Sequence, residues 1–341
     1  MKRLPMVVLL VLAAGSVCRP FAAVAGAPPA TGPAPAAAPA PAAAPAAAPP
    51  APAAVAPAPA VAPAAAPAAL PQAAPQPVPL AELMAELGRA PQRNADRAAQ
   101  ALALLKQAGL KDVAQQAIRL KREGASATGN VVATLPGRTA ETIIVGAHFD
   151  HTAAGAGVID NWTGVVCMAN LAQALAKSRP RRTFVFIAFD LEEQGRIGSQ
   201  WYVAQMSDEA RRRVAAMVNL ECLGISGLKV WRTGSADALE QLAADVARKE
   251  SAPLEFRQLY GVTSDSDSFM RAGMAAITFD SLDPADFELI DSPKDRAEAV
   301  RAQTFEQQYR FILKYLQALD EQNGPASAAN KDRPGPLPRG P

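Results

Sequence analysis

Both histidines of this 341-residue chain fall in one short stretch, GAHFDHTAAGAGVIDNWTG, residues 146–164. They are His148 and His151, with Asp150 and Asp160 among them. Imidazole and carboxylate together supply donor types that divalent transition metals take. Asp150, two residues past His148, is placed to accept the second ring N–H and set the tautomer. A carboxylate such as Asp160 can bridge two ions, which in two-metal hydrolases stand about 3.5–4 Å apart. Further on, Glu192 and Glu193 are consecutive. One can hold a cation while the other takes a proton from an activated water. Glu221 lies in VNLECLG, and a carboxylate flanked by apolar residues is costly to bury without a partner. A cation is a good partner.

Each fragment alone has a plainer account. A lone histidine near a strand end is commonly a satisfied core or turn residue. A Glu-Glu pair is commonly the solvated first turn of a helix, favoured by its dipole. Asp-Asn before a helix is commonly a cap. Trp162 could line a pocket or pack in the core, and His151 reads as a supporting residue rather than a ligand.

These residues need elements to bring them together. ETIIVGAHFD, TFVFIAFD, AAMVNLECLG and AAITFD are unbroken apolar runs rich in β-branched and aromatic residues, which predicts buried strands. GNVVATLPG predicts a further strand ending in a turn. Between them, TGVVCMANLAQALAKS, SADALEQLAADVARKE, SDSFMRAG and TFEQQYRFILKYLQALDEQ read as helices, with Thr163 as the cap of the first. The segment from Leu191 to about Met206 reads as a helix after a turn, and two more helices precede Gly88 and Gly109. Apolar strands alternating with helices predict an α/β sheet covered on both faces. In such sheets ligands bind at the carboxyl ends of parallel strands. His148/Asp150, Asp190/Glu192/Glu193 and Glu221 all stand just past strand ends.

The flanks differ from this region. Lys2 and Arg3, the apolar run from Met6 to Ala14 and Ala23-Val24-Ala25 predict an export signal over residues 1–25, hence a periplasmic or extracellular protein. The run is too short to span a bilayer, which takes about 20 residues. Residues 26–79 are almost all Ala, Pro and Val, and read as a disordered linker whose extended reach is on the order of 150 Å. Residues 80–324 form the predicted catalytic domain, and 325–341 a flexible tail. The net charge of +2, with 19% charged residues of interspersed sign, gives no pointer to nucleic acid. Cys167 and Cys222 could pair or stay as two buried thiols.

Taken in order, VGAHFDH, GVIDNWTGV, FIAFDLEEQGRIGS, VNLECLG, TSDSDSF and LIDSPKD resemble the co-catalytic zinc aminopeptidases, family twenty-eight of the metallopeptidases. That family also includes glutamate-carboxypeptidase-like and glutaminyl-cyclase-like members. The resemblance implies a three-layer α/β sandwich with a central mixed, mostly parallel sheet. It implies one zinc held by His148, Asp160 and Glu221, and a second held by Asp160, Glu193 and Asp291. Glu192 takes the position of the general base, and Asp150 orients His148. The substrates implied are peptide or protein N-termini. Two ligand positions depart from the pattern. Glu221 stands where the family usually has Asp, and Asp291 where it has His. Ser266 also stands where many relatives have His. An all-oxygen second site suits Mn²⁺ or another hard cation better than zinc. Three readings follow: an exopeptidase with an altered second site, a degenerate relative that binds peptides without turnover, and a one-metal acyltransferase of the cyclase kind. Oligomeric state is open.

Overall fold

The computed structural model describes residues 75–120 and 127–322. The predicted signal, nearly all of the linker and the tail lie outside the described residues. Packing starts slightly ahead of residue 80: Val78 is buried and its N–H donates to the Tyr309 hydroxyl at 3.0 Å.

In chain order the elements are α1 (Leu80–Leu87), α2 (Asn94–Gln107), β1 (Asp112–Gln116), β2 (Asn130–Leu135), β3 (Thr142–His148), α3 (Thr163–Ala176), β4 (Thr183–Phe189) and α4 (Ile197–Gln205). There follow α5 (Asp208–Arg213), β5 (Val214–Leu220), β6 (Lys229–Trp231), α6 (Asp237–Lys249), β7 (Glu255–Arg257), α7 (Ser266–Arg271), β8 (Ala276–Asp280) and α8 (Ala302–Glu321). The strands form one sheet in the order β1-β2-β4-β3-β5-β8-β6-β7. Its centre, β4-β3-β5-β8, is parallel, while β1, β2 and β6 join antiparallel to their inner neighbours. The mixed α/β sheet expected from the sequence is the one found.

The central strands read as unbroken apolar runs because helices cover both faces. On β3 the pleat separates the two layers. Ala147 faces α3, where a side chain on Gly164 would strike its Cβ at 2.9 Å. Gly146, on the opposite face, leaves room for Phe189, whose ring meets Tyr202 of α4 and Phe269 of α7. β1 escapes the pattern because it is a polar edge strand, DVAQQ, with little burial. β6 and β7 are three residues each and too short to show a period.

One local expectation is corrected, and one left open is decided in favour of two buried thiols. Thr163 does not cap α3. It is the first residue of the helix; its hydroxyl donates back to Ile159 O at 2.9 Å and accepts from Leu223 N at 3.0 Å. Cys167 and Cys222 are both free and buried, and desolvation holds each thiol above its usual pKa.

Candidate metal centre

Two parallel strands and a loop end at one point. His148 closes β3, Glu221 directly follows β5, and Asp160 enters from the loop between β3 and α3. His148 Nε2 lies 3.0 Å from Glu221 Oε1 and 3.1 Å from Asp160 Oδ1. Among the described residues, these three form the group whose ligand atoms all fall within 4.8 Å of one another. His148 is 1% exposed and Glu221 6%.

The hydrogen bonding around the ring decides what this arrangement needs. Nδ1 lies 3.1 Å from the backbone carbonyl of Asp150, which only accepts, so Nδ1 carries a proton. In neutral imidazole Nε2 is then a lone pair facing two carboxylate oxygens. Like meets like unless a cation sits among them or the ring is protonated. Burial alone would lower the imidazole pKa, but Glu221, Asp150 and Asp160 outweigh it and hold it well above the usual value. Asp160 Oδ1 is buried and lacks a hydrogen-bond partner. One imidazole and two carboxylates are a donor set that zinc takes, leaving a coordination position open.

The Asp160 loop is tied down by residues remote in sequence. Asp295 accepts from Ile159 N at 2.6 Å and Asp160 N at 3.3 Å. Arg97, fully buried, donates to the carbonyls of Phe149 and Gly157 at 3.0 Å each, and also to Ala156 and Pro91. Its guanidinium lies 5.5 Å from the centre of the Trp162 ring. Trp162 is therefore a packed aromatic, with its indole N–H on Glu86 O at 3.3 Å. Gly157 has φ +56°, and any side chain there would run into His151. The Asp160–Asn161 peptide is cis. Asn161 then links this loop to the end of β5, donating to Leu220 O and accepting from Cys222 N.

The second acidic cluster is joined to the first through Asp150. Its carboxylate accepts from Glu192 N at 3.0 Å and Glu193 N at 3.2 Å. Its side chain stands farther from His148 Nδ1, at 3.6 Å, than its own backbone carbonyl does. Asp150 thus orients the ring chiefly through its main chain and spends its side chain on the Glu192–Glu193 turn. Desolvation raises the Glu192 pKa to about 9; His148 opposes this, while Asp265, Glu221 and Asp160 add to it. Glu193 is raised to about 8, first by desolvation and then by Asp160. Its buried Oε1 has no hydrogen-bond partner.

Comparisons with known proteins identify the family. The sequence profile of Peptidase family M28 matches residues 130–316. The chain belongs to peptidase family M28. A Glutamate carboxypeptidase 2 homolog of Caenorhabditis briggsae is 30% identical over 135 residues, covering 38% of this chain and 17% of that protein. Aminopeptidase YwaD of Bacillus subtilis is 27% identical over 175 residues, 49% of this chain and 38% of that one. The solved structure of BSAP, a zinc aminopeptidase from Bacillus subtilis, aligns at 25% identity and a TM-score of 0.51, covering 55% of this chain and 49% of that one. The chain thus spans half or less of the length of each of these relatives.

Asp291, expected at a second site, lies outside this ligand group. Asp291 is exposed, in a left-handed conformation (φ 51°), and its carboxylate accepts from the Thr152 hydroxyl at 2.6 Å. With Glu193 and Asp160 it forms no compact ligand group among the described residues. His151 turns away, its Nε2 3.0 Å from Gln92 O. Ser266 sits in a buried hydroxyl network with Thr278, at 2.8 Å, and Ser264, at 3.1 Å.

Sequence reading missed three residues of this M28 site. Asp265 is fully buried, and neither oxygen has a partner of hydrogen-bonding geometry, although the Ser199 hydroxyl favours its charged form. Desolvation raises its pKa to about 7. Asp295 ends the SPKD motif and was legible as part of it. Arg97 carries no sequence signal, since it sits on an ordinary amphipathic helix.

Proposed function

We propose that this domain is a metal-dependent exopeptidase, an aminopeptidase hydrolysing the N-terminal bond of peptides, with one ion held firmly and a second site altered by Asp291. The observation that supports this most is the His148 ring: with Nδ1 committed to a carbonyl, Nε2 faces the carboxylates of Asp160 and Glu221. His148, Asp160 and Glu221 would hold the ion, and Glu193 and Asp291, with Asp160, would make any second contact. A bound divalent cation supplies Lewis acidity toward the scissile carbonyl and acidifies water.

The chain's own residues do the rest. Glu192 takes the proton of the attacking water and delivers it to the leaving amine. Its raised pKa favours uptake of that proton, and ionisation of Glu192 in the ground state relies on the positive charge of the ion. Asp150 fixes the Glu192–Glu193 turn through two N–H bonds, so the base does not drift. The surplus of carboxylates at this end of the sheet draws in the α-ammonium group of a peptide N-terminus. Lys2 to Ala25 and the Ala/Pro-rich stretch support an exported enzyme held away from a surface.

Glu192→Gln tests the role. With zinc loaded, it is expected to lower turnover of an N-terminal leucyl substrate about 10³-fold with unchanged metal content. Unchanged hydrolysis would remove Glu192 from the mechanism. Peptide binding without turnover in both forms would favour the degenerate reading.

A further inference from the structure

A cavity of about 270 Å³ lies between α4 and α7 and is not used by the reaction above. Arg196, the cap residue before α4, with Gln200 and Val203 of that helix line one side, and Ser268 and Arg271 of α7 the other. Gln200 and Val203 share one face of α4, and Ser268 and Arg271 one face of α7, by their spacing of three. Its charge is one-sided. The Arg196 side chain is 15% exposed and forms a long ion pair with Asp267, at 3.8 Å, leaving donors of the guanidinium for a second carboxylate. Arg271, the last residue of α7, is exposed at the mouth of the groove. Ser268, 6% exposed, adds a hydroxyl bonded to Ser199 at 2.8 Å.

The cavity adjoins the catalytic turn. Arg196 N donates to Glu192 O at 2.7 Å, and α7 begins directly after Asp265. From Arg196 to Val203 a helix rises about 10 Å, the span of about three residues of extended peptide. Arginine holds its charge at all working pH values and matches a carboxylate with two parallel donors. Val203 gives the methylenes of a glutamate an apolar wall.

We propose that this groove is a subsite for an acidic side chain of the peptide substrate, a carboxylate two or three residues past the cleaved bond seated between Arg196 and Arg271. The assignment rests on the peptidase reading, and the test separates the two. Zinc-loaded chain carrying Glu192→Gln, which blocks turnover, is titrated with Leu-Ala-Ala-Glu-Ala and with its Gln counterpart. The Glu peptide is expected to bind about tenfold tighter, the factor one charge-assisted contact supplies. Arg271→Glu is expected to erase that preference while leaving the Gln peptide within about twofold; Arg271→Gln serves if the reversed charge misfolds. Equal binding of the two peptides, or a preference that survives both Arg271→Glu and Arg196→Glu, overturns the subsite. Arg271-dependent preference without hydrolysis of either peptide by the unmutated chain would sink the peptidase reading and leave the groove. Hydrolysis of both peptides with identical kcat and KM would do the reverse.

Discussion

On one side of Asp160, His148 and Glu221 are almost wholly buried, and their neighbours are committed to them: Asn219 donates to Glu221 at 2.9 Å and the Asp150 carbonyl holds His148 Nδ1 at 3.1 Å. On the other side Glu193 keeps a buried oxygen with no partner, and Asp291 lies exposed on a surface loop, bonded to a threonine. The first half is a preorganised ligand set with its outer shell in place. The second half has the charges without the shell. The same loop, Val158 to Trp162, serves both, so the difference lies in the partners contributed by β5 and by the segment around Asp291. A buried site is maintained because its unpaired groups cost stability in every folded molecule. An exposed carboxylate such as Asp291 carries no such cost.

The largest effect that sharpens this contrast is His148→Ala. It removes the sole imidazole of the buried half, and zinc affinity is expected to fall more than about 100-fold, measured by competition with a chelating dye. Asp291→Ala in the same assay should leave that first, tight event within a few-fold. Comparable losses in both would mean that the halves are one site.

Next in size is the coupling of metal to pH. Glu192 and Glu193 have folded-state pKa values of about 9 and about 8, above their ordinary value of 4.5. The folded metal-free chain therefore keeps protons that the unfolded chain loses, and these groups lose their stabilising contribution as pH rises from about 4.5 to about 9. His148, also raised, acts in the same direction above 6.5. An ion must displace those protons, so its binding strengthens with pH. The difference in melting temperature between zinc-loaded and chelator-stripped protein is expected to widen from pH 6 to pH 8.5. A constant difference would mean that these carboxylates do not face the ion. The smallest effect is Asp291→His, which should tighten a second zinc about tenfold; no change would show that position 291 does not reach the ion.

Much of the fold was legible because the central strands are long, apolar and punctuated, and the buried half was legible because its residues follow strand ends. β1 was not, because a polar edge strand lacks the periodic signal. Arg97 was not, because its work is done on carbonyls more than fifty residues away, at Phe149 and Gly157. Asp150 was half legible. Its position beside His148 was clear, but the structure gives its carboxylate to the Glu192–Glu193 backbone, which only the meeting of β3 and β4 reveals. Trp162 read equally well as pocket or core, and the two cysteines as a pair or as buried thiols; packing decided both for the core.

The most direct test of the account is the number of zinc ions retained per chain after extensive dialysis of the metal-loaded protein, measured by elemental analysis. One ion, lost in His148→Ala and kept in Asp291→Ala, is the expected result. Two ions retained with equal affinity, or none, would contradict the division of the centre into a built half and an open one.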